Sequence, residues 1–434
     1  MWPALLIACT SSFLVVGPDT SDTSDSDSDT PLVDTDPEPI GDAPPDTAPE
    51  TDTISRAPGS VALDCDVAPQ PDGKVPCTLR VLDADGNVYW DGAAGVGLHG
   101  RSSSSFPKVT YAVELRDADG IEAGADLLGM GEEADWLLNG MWIDRALMRN
   151  KLAFDLFRAL TDGREWAPES AYVELTTNGA YAGLYALTER IDRDASRLDL
   201  PLDDGSGTSF IVKGDEAGIY TPIQYAHWGF VYPNAPDATQ LAGMTERLGT
   251  LDTYMTYANP AMFDELDMDA AVAFVLIEEL FKNNDAFFLS HHLYVRPDGF
   301  LGWVPWDMDL TLGQPSYNDN ENPRSWIAYR PGGLIDNMGQ MPAFRERMVS
   351  MWTEWRATEL ADGAVEARID GLVADLGDAP ARNFARWPIG EVDFGGTLYV
   401  VGSHAEEIGR IKAFVAAREA WMDANIASWS QYAD

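Results

Sequence analysis

The chain has 434 residues, 45% of them hydrophobic and 14 of them tryptophan, enough apolar material for one large two-lobed domain or two smaller ones. Its formal net charge is −42, and only twelve of the 71 acids lie between Asp19 and Asp52, so the excess over 29 Lys and Arg belongs to the folded part as well as to the N-terminus. A surface this negative repels nucleic acid and anionic lipid, which sets nucleic-acid binding aside and suits divalent cations or a basic partner.

The N-terminus reads MWPALLIACTSS, and Leu6-Ile7-Ala8-Cys9 has the form of a bacterial lipobox, in which cleavage precedes a lipid-modified cysteine. The apolar stretch is short and no Lys or Arg precedes it, so an accidental match is the other reading. Thr20 to Thr53 has almost no aromatic or aliphatic content and cannot bury enough surface to fold. The expected layout is a signal segment over residues 1–9 with Cys9 as lipid anchor, then a disordered acidic linker over 10–57. No other segment is apolar for long enough to span a membrane, so attachment through the N-terminal lipid alone is expected. That layout is the one expected of an exported lipoprotein held at the cell surface or in the periplasm.

Cys65 and Cys77 flank DVAPQPDGKVP, whose Pro and Asp-Gly residues favour a turn. They can close a small disulfide-bonded hairpin in an oxidising compartment, the alternative being two reduced core cysteines. Residues 60–120 alternate apolar and polar side chains, with hairpin signals at Asp85-Gly86 and Asp119-Gly120, which predicts antiparallel sheet. Asp83-Ala84-Asp85-Gly86 has its glycine too early for a calcium loop and is expected to be a hairpin turn.

Gly97 to Leu115 (GLHGRSSSSFPKVTYAVEL) offers two glycines and four serines, a loop whose N–H and hydroxyl groups can bind phosphate oxygens. Lys108 then starts an alternating strand, on the face opposite Val109, Tyr111, Val113 and Leu115. It is placed to reach nucleotide phosphates, or else is a solvated strand lysine, because the run matches neither GxxxxGK[ST] nor GxGxxG.

Asp144 to Leu160 predicts an amphipathic helix with Asp144 as N-cap. Tyr172 to Asp192 predicts a hairpin turning at Asn178-Gly179, and Phe210 to Lys213 a short buried strand. From Asp264 the pattern turns helical: Asp269–Lys282 is apolar on most faces, and further helices are expected around Phe344–Leu360, Asp362–Leu376 and Glu406–Ser428.

The densest chemistry lies in NNDAFFLSHHLYVRPDGFLGWVPWDMDLTLG, residues 283–313. Asp285 ends an apolar helix, a hairpin follows, and its second strand runs into Asp307 and Asp309. One Asp that orients an acceptor hydroxyl, with metal-binding acids about twenty residues later, is how a kinase-like site is ordered. Three carboxylates brought together need a cation or hydrogen bonds, so a metal site is one reading and three surface acids the other. His291 and His292 on an alternating strand face opposite ways, and no CxxC or HExxH supports zinc. There is no GxSxG for a serine hydrolase.

GRSSSSFPKVTYAVEL, DRALMRNKLAFDLF, NGAYAGLYALTERID, NNDAFF…HHLYV and WVPWDMDLTLG stand in the order and rough spacing of the spore coat protein H (CotH) kinase family, which the chain resembles over roughly residues 60–390. ARNFARW at Ala381–Trp387 belongs to the same resemblance. It implies an α+β, atypical protein-kinase-like two-lobed fold, with a β-rich N-lobe over about 58–215 and a mainly helical C-lobe over about 216–434. It also implies an extracytoplasmic kinase that uses ATP with Mg or Mn to phosphorylate Ser or Thr of exported proteins, a basic one being suited to this charge.

Matched by position, Lys108 binds phosphate, with Ser103 and Ser104 of the loop beside it. Asp285 is the catalytic acid, and Asp307 and Asp309 include the metal ligand. Glu189 lies near adenine or ribose; Asn150 and Lys213 are weaker nucleotide contacts, a helix-helix hydrogen bond and a surface strand being their plain alternatives. Kinases usually place Asn five residues after the catalytic Asp for the second metal, and that position is Ser290 here. The departure motivates a second reading, a catalytically reduced surface adhesion or assembly protein; transfer of a nucleotidyl rather than a phosphoryl group is a third.

Overall fold

In the first third of the chain apolar side chains recur every second residue, and each such run becomes a strand with one face turned inward. The computed structural model describes residues 57–429 apart from 222–225, 288, 316–319, 328–333 and 395–396; Cys9, the leader and the acidic linker up to residue 56 lie outside the described residues. The elements in order are β1 (Gly59–Cys65), β2 (Val75–Leu82), β3 (Val88–His99), β4 (Thr110–Arg116), β5 (Ala125–Asp126), β6 (Glu132–Glu133), β7 (Asp135–Asn139), α1 (Arg149–Leu160), β8 (Ser170–Thr177) and β9 (Ala180–Glu189). Seven strands close a barrel in the order β1-β2-β3-β4-β7-β9-β8, with β8 and β1 as its parallel pair. Val81, Val96, Leu115, Trp136, Val173 and Leu187 fill the interior.

The turns follow local chemistry. The Asp83 carboxylate accepts N–H bonds from Asp85 and Asn87, both at 2.9 Å, so DADG is a hairpin turn. Asn178 and Gly179 both take positive φ (47° and 74°) between β8 and β9, the conformation that Asn-Gly favours in a two-residue hairpin. Cys65 and Cys77 are register partners on β1 and β2, joined by a disulfide with Cα atoms 4.3 Å apart. The bridge ties the barrel's first strand to its second.

Helix α1 begins five residues later than the sequence suggests. Leu147 sits at φ 64°, outside the helical region, and interrupts the turn. Asp144 still caps the start from a distance: its carboxylate accepts the N–H groups of Ala146 (3.0 Å), Met148 (2.8 Å) and Arg149 (2.8 Å).

The rest of the chain comprises β10 (Ile211–Thr221), β11 (Ala226–Tyr232), α2 (Ala238–Thr256), α3 (Met268–Phe281), β12 (His292–Val295), β13 (Leu301–Val304), α4 (Leu334–Gly339), α5 (Pro342–Arg356), α6 (Ala364–Leu376), α7 (Ala379–Arg386), β14 (Glu391–Phe394), β15 (Thr397–Val400) and α8 (His404–Asn425). Strands β11-β10-β12-β13 form a second sheet, and α3, buried along nearly its whole length, is the centre of the larger core. Sequence reasoning missed α2. Its signal was the capping box at Asp237, whose carboxylate accepts from Gln240 N while the Gln240 side chain accepts from Asp237 N. The chain is α+β, a sheet-rich part followed by a helix-rich one. Among the described residues no helix is long and apolar enough to cross a membrane.

Glu165, between α1 and β8, is buried against Arg296, which donates to it at 2.8 Å. Burial raises its carboxyl from 4.5 to about 7, against the pull of Arg296. The folded state therefore holds this proton more tightly than the unfolded chain. Its contribution is complete below pH 4.5 and is lost as pH rises through about 7. Glu165→Gln cannot ionise, so its stability relative to the parent is expected to improve between about pH 5 and about pH 7.5, by on the order of 1–3 kcal/mol. Urea midpoints at both pH values measure this, and a pH-independent offset between the two proteins refutes it.

Candidate active site

The acid turn after β13 is built by strain and clasped by hydrogen bonds. Asp307 takes a left-handed conformation (φ 61°), which aims it away from the strand direction, and Met308–Leu310 then form a 3-10 turn. Asn150 of α1 holds this turn at two points. Its Oδ1 accepts the Met308 N–H at 2.7 Å, and its Nδ2 donates to the Asp309 carboxylate. Ser290 donates its hydroxyl to Asp307 Oδ2 at 3.0 Å. Asn283, just past α3, packs its amide against the Met308 sulfur at 3.4 Å. Asp285 is half-buried in the turn after α3, where its N–H donates to Asn283 Oδ1 (3.3 Å) and its carbonyl accepts from Leu289 (2.8 Å).

Asp307 is exposed, whereas Asp309 is half-buried. Its carboxyl is pushed well above the usual range, first by burial and then by the charges of Asp307 and Asp144; Arg149 and the Asn150 hydrogen bond oppose the shift. Two neighbouring carboxylates that resist joint ionisation suit a hard divalent cation, which takes oxygen ligands and removes the repulsion. Asp307, Asp309 and the Ser290 hydroxyl are an all-oxygen donor set of that kind. Asp285, expected as the catalytic acid and not as a metal ligand, does not form a trio with them in which all ligand atoms lie within 4.8 Å. Among the described residues the one trio of His, Cys, Asp or Glu with ligand atoms all within 4.8 Å is Glu114, Glu122 and Asp135. That trio is an ion-pair network, with Lys74 bridging Glu114 and Asp135.

Arg149 anchors the end of the acid turn. Its guanidinium reaches Asp144 and Glu407, both at 2.6 Å, and the Thr311 carbonyl at 2.8 Å, so α1, α8 and the end of the acid turn share one buried cation.

The other expected site residues fall differently from the sequence reading. Lys108 precedes β4, which starts at Thr110, and is 2% exposed. Its ammonium donates to the Leu184 carbonyl and to Asn383 Oδ1 at 2.8 Å, and lies 4.8 Å from the Tyr185 ring centre. Burial, then Arg145 nearby, lowers its pKa well below 10.5. Gly183 makes this approach feasible: at φ 123° it brings its backbone so near that a Cβ would sit 3.0 Å from Lys108 Cε and 2.9 Å from Asn383 Oδ1.

The hydroxyls of Ser103 and Ser104 donate to the carbonyls of His99 (3.1 Å) and Arg101 (2.9 Å), so they brace the loop itself instead of offering protons to phosphate. Asn150, expected as a nucleotide contact or a helix-helix bond, instead positions the acid turn. Glu189, at the end of β9, accepts the Glu169 N–H at 2.7 Å and faces Arg197 at 3.9 Å; burial raises its carboxyl to about 7. Lys213 lies near the start of β10, in register with His292; burial first, and then the Lys213 charge, lowers the pKa of His291 and His292. Those two histidines are buried, His291 against Trp228 and His292 against Trp306.

Sequence reasoning did not find Arg149, Asn383 or Arg145. For Asn383 a signal was present in the ARNFARW run, and for the arginines in the DRALMRNKLAFDLF block.

A family described as CotH kinase protein matches the chain over residues 96–422. No curated protein matches it.

Proposed function

The chain belongs to the CotH kinase family, and from that premise we propose that it is an atypical kinase acting outside the cytoplasm, anchored by Cys9 and phosphorylating Ser or Thr of exported proteins. The barrel and the helix-rich part correspond in this reading to the two lobes of a kinase-like fold. The observation that carries it is the clasped acid turn, with Asp307 and Asp309 side by side and Asn150 and Ser290 fixing both. The disulfide between Cys65 and Cys77 supports an oxidising, extracytoplasmic setting.

Asp307 and Asp309 would hold Mg or Mn, and ATP would supply the phosphoryl group, whose charge the cation neutralises. Asp285 orients the acceptor hydroxyl and takes its proton. Lys108, kept from solvent, provides positive charge near the phosphates. Few protein groups are needed, because this chemistry rests on positioning and charge neutralisation.

One feature favours the rival reading of a catalytically reduced surface-binding protein: Ser290, in place of the usual Asn, spends its hydroxyl on Asp307. Thermal unfolding separates the two. With ATP at a hundred times its Kd and Mg or Mn, the kinase reading expects about 2.7 kcal/mol of stabilisation, several degrees in Tm. No shift at millimolar ATP with either metal would leave the binding-protein reading.

A further inference from the structure

Arg145 is the buried cation that the site so far described does not use. It is 2% exposed, and its Nε and Nη2 are buried without a hydrogen-bond partner. The buried arginines Arg149, Arg197 and Arg418 each have a carboxylate within 4.0 Å, at 2.6, 3.9 and 2.9 Å. Arg145 has none among the described residues, and neither has Lys108 beside it. Asp144 and Glu407, the acids whose charges reach Arg145, are both already bound by Arg149. Two guanidinium groups, Arg149 and Arg145, thus share two carboxylates in a buried cluster, and a buried charge without an opposite partner is costly.

The guanidinium is held in place. It stacks over Trp142, 4.6 Å from the ring centre, and Trp142 meets Trp387 edge-on at 5.9 Å. Trp387 in turn donates to the Ala182 carbonyl at 2.6 Å, next to the Gly183 that lets Lys108 and Asn383 approach. Asp144, next to Arg145 in the chain, is bound by Arg149, whose Nε donates to the Thr311 carbonyl at the end of the acid turn at 2.8 Å. Arg145 is therefore tied to the acid turn through its neighbour Asp144 and Arg149, lies close enough to Lys108 for its charge to act there, and has two buried donors without a partner.

We propose that Arg145 is a phosphate-binding residue which, with Lys108, receives the polyphosphate chain of the nucleotide. The fork of guanidinium N–H groups matches two oxygens of one phosphate, while Lys108 adds a point charge. This rests on the kinase reading of the same site and adds a residue to it.

The test follows thermal unfolding of the full chain with Mn²⁺ against increasing ATP, tripolyphosphate or adenosine, for the parent, Arg145→Met, Arg145→Gln and Arg145→Lys. The expected result is that the Met and Gln variants unfold, without ligand, at the parent's temperature or above it, because a lone buried cation has gone. Their half-saturating concentrations of ATP and tripolyphosphate rise about tenfold or more, Lys is intermediate, and adenosine is unaffected. Parent-like half-saturation in either the Met or the Gln variant overturns the proposal and leaves the kinase reading standing. A parent that binds tripolyphosphate through Arg145 but transfers no phosphate from ATP keeps the anion site and sinks the kinase reading. A parent stabilised by no phosphate compound overturns the anion site.

Discussion

Asp309→Asn is expected to abolish phosphoryl transfer while leaving the protein at least as stable as the parent. The substitution keeps the side chain's size and an acceptor for the Asn150 amide. It removes the charge that burial, Asp307 and Asp144 all disfavour. Without cation the variant loses only an electrostatic conflict, so its denaturation midpoint should match or exceed the parent's. With cation and ATP it lacks half of the carboxylate pair, and a rate loss of at least about 10²–10³-fold follows from removing one such electrostatic contact. Single-turnover transfer of γ-labelled phosphate to an added acceptor reads the rate. Asp285→Asn should show the same loss of transfer but retain metal-dependent ATP stabilisation, since its role is toward the acceptor. Full activity in either variant would remove that residue from the mechanism.

Arg149→Met should cost more stability than any other single change discussed. The arginine satisfies Asp144, Glu407 and the Thr311 carbonyl at once, and all four groups are buried. Methionine of similar length deprives two carboxylates of that cation, for which a loss of about 3–5 kcal/mol is expected. Glu407→Gln added to the variant should recover part of it by neutralising one of the two acids. Urea denaturation of the parent, the single and the double variant gives the comparison. A loss below about 1 kcal/mol, or no recovery in the double variant, would show that the hub contributes little.

Much of the local structure around the proposed site was legible because its parts are local. The Asp-x-Asp of the acid turn, the Asp285 turn before it, the Asn-Gly hairpin and the Cys65–Cys77 loop each lie within a short run, where spacing and turn chemistry carry the information. The start of α1 was misjudged for a tertiary reason: Asp144 does cap, but a left-handed Leu147 stands between it and the helix. In the serine loop composition says that hydroxyls are present, not that they point back at His99 and Arg101.

The sequence by itself determined the alternation that makes strands, the apolar run that becomes α3 and the pairing of Cys65 with Cys77, and it singled out the acids of the proposed site. These depend on neighbours a few residues away, so periodicity and turn preference suffice. Only the tertiary structure decided which charges meet. Arg149 pairs with Glu407 across 258 residues, Lys108 with Asn383 across 275, and Asn150 with Asp309 across 159. In a chain with 71 acids no local pattern selects those partners. Closure of the barrel and packing around α3 bring them together, and burial, which makes an unmatched charge expensive, settles which pairings the fold retains.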